Sequence, residues 1–346
     1  MTYEIEKYIP RQGIVLAKLP LSDELKKQVE KDRAEIFRII EGKDNRKLLI
    51  MGPCSAWPRE AVLDYVKMLK PIAEKLKDKI KIVIRVYTQK PRTTIGWTGP
   101  INQPDPFDKP NIEKGIFYCR KMMLDIVKEG FAIADEAVFT HNEGYFTDLI
   151  SWLAIGARST EDQEHRVFAS MIENPIGLKN PTSGDLDVAT NSVLAAQNPH
   201  VFVLNRKQIR TSGNKHAHLV MRGGGGKPNS DLESIKKAHE LMKKKSIENP
   251  SIIMDVSHDN SITDGKKDHN AQGKTILEIV KLIKEHSDIN KLIKGFMMES
   301  FIKSGKQDLT KVKSINDLDL SGLSVTDACL GIEDTISNLE KLYKEL

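Results

Sequence analysis

Eight short apolar runs separated by amphipathic stretches predict an α/β fold of the (β/α)8 TIM-barrel class. Two further observations favour a closed barrel over an open doubly wound sheet. Most of the runs lack polar alternation, as parallel strands buried on both faces do. No GxGxxG turn follows the first run, where a dinucleotide-binding sheet would carry one.

The elements follow in chain order. Residues 1–45 are expected to form an N-terminal extension and residues 46–346 the catalytic barrel. Within the extension, Ser22 opens SDELKKQVEKDRAEIFRII, which reads as an N-capped amphipathic helix. The predicted strands are KLLIMGPC (47–54), IKIVIRVY (80–87), FAIADEA (131–137), WLAIGAR (152–158), PIGLKN (175–180), HVFVLN (200–205), SIIMDVSH (251–258) and IKGFMMES (293–300). Amphipathic segments at 59–75, 111–129, 160–172 and 271–285 supply intervening helices, with a closing helix near 326–346. AHLVMRGG (217–224), after TSGN, reads as one arm of an extra β-hairpin inserted after the sixth strand. Lys- and Asp-rich stretches near 262–269 and 286–294 read as lengthened surface loops.

Composition narrows the function classes. The chain is 39% hydrophobic and 29% charged, and no run approaches the roughly 18 apolar residues of a membrane span. Three scattered cysteines (Cys54, Cys119, Cys329) cannot make a disulfide framework. The polar start MTYEIEKYIPRQG is unlike a secretory signal or transit peptide, so a cytoplasmic location is expected. Net charge is only +5, and runs such as Lys243-Lys244-Lys245 read as a solvated helix face, so no nucleic-acid partner is expected.

What ends each run carries more chemistry than the runs themselves. Cys54 ends the first, Glu136 the third, Arg158 the fourth, Lys179 the fifth, His258 the seventh and Glu299 the eighth. Arg85 lies in the second and Arg222 ends the extra arm. In a barrel these carboxyl ends open on one face, where active sites are built. Singly, each has a bland reading: a buried thiol, a hydrogen-bonded histidine, a surface cation. Together they sort into two sets. Cys54, His258 and Glu299, with Asp327 in SVTDACLG, offer sulfur, nitrogen and oxygen donors of mixed softness. That mixture suits manganese, iron, cobalt or zinc rather than magnesium or calcium. Arg85, Lys90, Arg92, Arg158, Lys179 and Arg222 call for phosphates or carboxylates in quantity.

GPCS (52–55), RVY-x-x-KPRTT-x-GW-x-G (85–99), GARSTEDQEHR (156–166), GLKN (177–180), TSGN (211–214), LVMRGG (219–224), MDVSHDNS (254–261), MMES (297–300) and SVTDACLG-x-EDT (324–335) stand in colinear order. From about Pro20 to the C-terminus the sequence resembles the class I 3-deoxy-D-arabino-heptulosonate-7-phosphate (DAHP) synthases. The resemblance implies a transferase that condenses phosphoenolpyruvate with D-erythrose 4-phosphate at the first step of the shikimate pathway, using one divalent ion, with manganese favoured. It implies Cys54, His258, Glu299 and Asp327 as metal ligands, and Arg85, Arg158, Lys179 and Arg222, with the Gly156-Ala157 backbone, as the phosphoenolpyruvate site. Lys90, Pro91, Arg92 and Thr93 match the segment that receives erythrose 4-phosphate, and Lys90, Glu136 and His258 are the catalytic candidates. A related synthase making 3-deoxy-octulosonate 8-phosphate shares the barrel but differs at the segment matching residues 90–94. The family's habit implies a homodimer or homotetramer.

Three segments depart from the family pattern. AVFTHNEGYF (137–146) stands where regulated members carry a DMITPQY-like run, the hairpin at 204–218 is short, and so is the N-terminal segment. Feedback inhibition by Phe, Tyr or Trp is therefore expected to be weak or absent.

Overall fold

The computed structural model describes residues 2–346 with the exception of Thr94, and the side chains of residues 141–143 also lie outside the description. Eight parallel strands close into a barrel: β1 (Lys47–Gly52), β2 (Ile80–Arg85), β3 (Ala132–Glu136), β4 (Trp152–Ile155), β5 (Ile176–Lys179), β6 (Ala217–Met221), β7 (Ile252–Asp255) and β8 (Ile293–Glu299). All but two of their residues are buried, which is why the runs read as unbroken apolar stretches. Helices Arg59–Leu76, Ile112–Lys128, Gln163–Met171 and Gln272–Glu285 fall where the amphipathic pattern sets them.

The sixth strand is a correction. HVFVLN, expected in the barrel, contributes Val201–Leu204 to a two-stranded hairpin with Lys207–Arg210, and most of its residues are exposed. Asn205 and Arg206 make its turn at positive φ, 50° and 63°. AHLVMRGG, expected as the extra arm, supplies β6 between β5 and β7. The hairpin therefore precedes the sixth barrel strand. His218 lies inside the barrel as an acceptor from Trp152 Nε1 at 3.1 Å, which explains how a histidine can occupy a fully buried strand.

Two helices, α1 (Gln12–Lys18) and α2 (Asp23–Ile40), precede β1, and Ser22 caps α2 by accepting from the Leu25 N–H. Ile36, Ile39 and Ile40 cluster with the barrel-interior residues Leu48, Ile50, Val83 and Trp152, so α2 plugs the amino end. Asp32 and Glu35 on α2 meet Lys81 Nζ at 2.5 and 2.8 Å, and Arg46 joins Glu35 to Asp44. Among the described residues no helix is long and apolar enough to cross a membrane.

Candidate active site

Register at the closing seam of the barrel sets the site. β1 pairs with β8 so that Gly52 faces Glu299, and Cys54 follows just beyond. A Cβ at Gly52 would fall 2.7 Å from the Arg85 carbonyl oxygen, and its φ of +154° also favours glycine. After β8 the chain loops out and returns, with the Leu330 N–H donating to Glu299 O and the Cys329 N–H to Gly305 O. Asp327 sits on this return rather than at a helix start, because the closing helix begins only at Ile332.

At this seam Cys54 Sγ and carboxylate oxygens of Glu299 and Asp327 all lie within 4.8 Å of one another. His258, the fourth expected ligand, stands beside this trio. Its Nε2 is 3.9 Å from Glu299 Oε1, and its Nδ1 is 3.0 Å from Asp255 Oδ2. Glu299 is buried, yet its Oε2 has no hydrogen-bond partner. A buried carboxylate oxygen without a partner is costly, and it stands where a cation would supply one. The donor set of thiol, imidazole and carboxylates therefore fits a divalent transition ion. Burial raises the Cys54 thiol pKa, helped by Glu299, while Lys90 opposes it from 3.0 Å. Burial would raise Glu299 too, but His258 and Arg85 hold it low. Burial lowers His258 despite the neighbouring carboxylates, which favours the neutral imidazole that a metal ligand needs.

The cations gather in the same cavity, of about 450 Å³, which is lined by Arg85, Lys90, Arg92, Arg158, Lys179 and Arg222 among others. Pro91, Thr93 and Ala157 line it as well, and so do Glu136, His258 and Asp327. Thr94, the last residue of the KPRTT segment, lies outside the described residues. Arg85 is 1% exposed, with Nη2 3.2 Å from Glu299 Oε1 and its guanidinium 4.0 Å from the Tyr87 ring centroid. Its Nε and Nη1 have no partner. Lys179 Nζ lies 3.5 Å from both Glu136 Oε2 and Asp255 Oδ2, and 5.4 Å from the centroid of the Tyr87 ring, against which Arg85 also lies. Arg158 Nε donates to Thr93 Oγ1 at 3.1 Å, and Arg222 reaches Asp259 at 3.7 Å. Gly156 leaves room for Glu136, whose Oε1 would be 2.6 Å from a Cβ there.

The 90–97 segment is held locally. Arg92 Nε donates to Trp97 O at 2.8 Å, and the Trp97 ring meets Trp57 edge-on at 6.1 Å between centroids. Among the residues of this cavity or its wall that escaped the sequence reading, three bear on its electrostatics. Tyr87 carried a signal inside RVY, and Asp255 stands three residues before His258. Lys267, in a stretch read as surface loop, lines the cavity 3.5 Å from Asp327.

Comparison with known proteins adds to this geometry. The phospho-2-dehydro-3-deoxyheptonate aldolase of Corynebacterium glutamicum is 38% identical over 342 residues, covering 96% of this chain and 90% of that one. The Tyr-sensitive enzyme of the same name from Escherichia coli K12 is 38% identical over 335 residues, covering 95% and 91%. A solved structure of phospho-2-dehydro-3-deoxyheptonate aldolase from Francisella tularensis SCHU S4 matches with a TM-score of 0.91 at 36% identity, over 99% of this chain and 98% of that one. With the profile of that family matching residues 22–340, on a barrel whose carboxyl end holds this cavity, the chain belongs to the DAHP synthetase I family.

Proposed function

We propose that this cavity performs the family reaction, joining phosphoenolpyruvate to D-erythrose 4-phosphate to give DAHP and phosphate. The observation that carries the reading is the contact between the two halves of the site: Arg85 Nη2 is 3.2 Å from Glu299 Oε1, so anion-binding and metal-ligating groups share one wall. Cys54, Glu299 and Asp327, with His258 beside them, would hold one divalent ion from the manganese, iron, cobalt and zinc group, manganese being favoured. That ion, when bound, supplies Lewis-acid polarisation of the aldehyde.

The chain's own residues do the rest. Arg85, Lys179, Arg158 and Arg222 hold the carboxylate and phosphate of phosphoenolpyruvate, with the backbone at Gly156-Ala157 beside them. Arginine forks suit these groups because they bind them bidentately. Lys90, Pro91, Arg92 and Thr93 receive erythrose 4-phosphate on the facing side, so C3 of the enol is presented to C1 of the aldehyde. Lys90, beside Cys54, is placed to donate a proton to the oxygen that becomes alkoxide as this bond forms. Water then adds at C2, with Glu136 positioned to take its proton, and phosphate leaves by C–O cleavage. Glu136 already faces Lys179, which keeps a cation next to the charge it gains and loses.

A phosphate-release assay tests the reading. Turnover with erythrose 4-phosphate that needs an added divalent ion supports it. Turnover only with a five-carbon aldose phosphate points to the octulosonate reaction, and none with either points to a non-catalytic protein. The same reading includes a homodimer or homotetramer in the cytoplasm, checked by sedimentation and by cell fractionation.

A further inference from the structure

Residues 262–267 form a tight hairpin in which Ile262 pairs with Lys267 and Thr263 with Lys266. Asp264 and Gly265 join the arms at φ of 51° and 74°. Asp-Gly at two positive-φ positions is the preferred chemistry of a two-residue hairpin turn, so the local sequence builds this arm by itself. The Asp268 N–H then donates to Ser261 O at 2.9 Å and ties the base of the arm to the strand-end segment. Lys267, the last residue of the hairpin, reaches the cavity, with its Nζ 3.5 Å from Asp327 Oδ2.

Two lysines thus stand on two of the expected ligands. Lys90 Nζ is 3.0 Å from Cys54 Sγ, but it is also bound to Cys54 O at 3.1 Å and is enclosed by the site. Lys267 is different. Its side chain is 38% exposed on a surface hairpin, and Asp327, 46% exposed, is its ion-pair partner. Such a pair in water-like surroundings is weakly held and readily exchanged. An incoming dication at Asp327 carries the same sign as the ammonium, so the two compete for the carboxylate.

We propose that Lys267 is the exchangeable counter-charge of this corner, occupying Asp327 until a divalent cation takes its place and thereby setting how tightly the cation is bound. This rests on the reading of Cys54, His258, Glu299 and Asp327 as ligands. A unit charge roughly 6 Å from a dication, with water-like screening, is worth about a tenfold change in affinity.

The test is titration of the metal-stripped protein with Mn2+ alone, followed by competition with a chelating dye. Lys267→Gln is expected to bind about tenfold tighter than wild type. Lys267→Arg, which keeps the charge, should stay near wild type. So should Lys266→Gln, which removes a charge from the same hairpin outside the cavity. Equal or weaker binding by Lys267→Gln overturns the proposal, and so does equal tightening by Lys266→Gln. No uptake of Mn2+ by the wild-type protein overturns the ligand reading itself, and the proposal with it.

Discussion

At the amino end of the barrel, Ile36, Ile39 and Ile40 fill the opening, and the nearby charges of Asp32, Glu35, Arg46 and Lys81 close on one another. At the carboxyl end, Arg85 and Glu299 are more deeply buried, and they leave two nitrogens and one oxygen without a hydrogen bond, against the single oxygen Asp32 Oδ2 among the amino-end charges. A buried polar atom left in that state costs about 1–3 kcal/mol. The amino end therefore closes nearly all of its charges on one another, and the carboxyl end, where the proposed function places the anions and the cation, leaves more of its buried polar atoms unpaired. Changes at the two ends should fail in opposite ways.

The largest effect is expected for His258→Ala, which should abolish metal binding and turnover together, read by metal content and phosphate release. Full activity in the metal-stripped variant would defeat the mechanism. Next comes Arg85→Gln, expected to lower kcat/KM for phosphoenolpyruvate about a hundredfold, the equivalent of one charged hydrogen bond. At the other end, Ile39→Ala should cost about 2–5 kcal/mol in urea unfolding while KM stays put. A KM shift as large as that of Arg85→Gln would erase the division of labour.

A smaller effect concerns Glu41, just past α2, which meets Lys43 Nζ at 2.7 Å and His216 Nε2 at 2.9 Å. Its hydrogen bonds to Lys43 and His216 lower its pKa from an ordinary 4.5 to about 2. A carboxyl depressed on folding adds stability above its unfolded pKa and loses it as pH falls through the folded one. Melting curves of wild type and Glu41→Gln should thus differ above pH 4.5 and converge towards pH 2. The smallest expected signal is calorimetric titration with Phe, Tyr and Trp. No micromolar binding is expected, and such binding by any one of them would restore feedback control.

Much of the architecture was legible because strands buried on both faces leave unbroken apolar runs. The sixth strand was misread for the same reason. HVFVLN is apolar and β-branched, whereas AHLVM carries His218, and an apolar run does not state which neighbour covers it. The partnership of His218 with Trp152, 66 residues away, and the hydrogen bond from its Nδ1 to His216 O make β6 acceptable as a core strand. Cys54 and Glu299 were legible as strand-end residues and Asp327 through its motif at the expected start of the closing helix, but not their approach within 4.8 Å, which depends on the closing register of β1 against β8 and on the return after β8. Lys267 was missed because a surface hairpin and a surface loop share the same polar composition. Its Asp-Gly turn was the one available signal.

The Trp57–Trp97 pair carries an optical consequence. The chain has three tryptophans, and Trp152 is sealed inside the barrel. Trp97 accepts through its carbonyl from Arg92, the side chain expected to meet the sugar phosphate. Loading of that segment should therefore change the intrinsic tryptophan emission, giving the protein an unlabelled fluorescence reporter that a stopped-flow instrument can follow in real time.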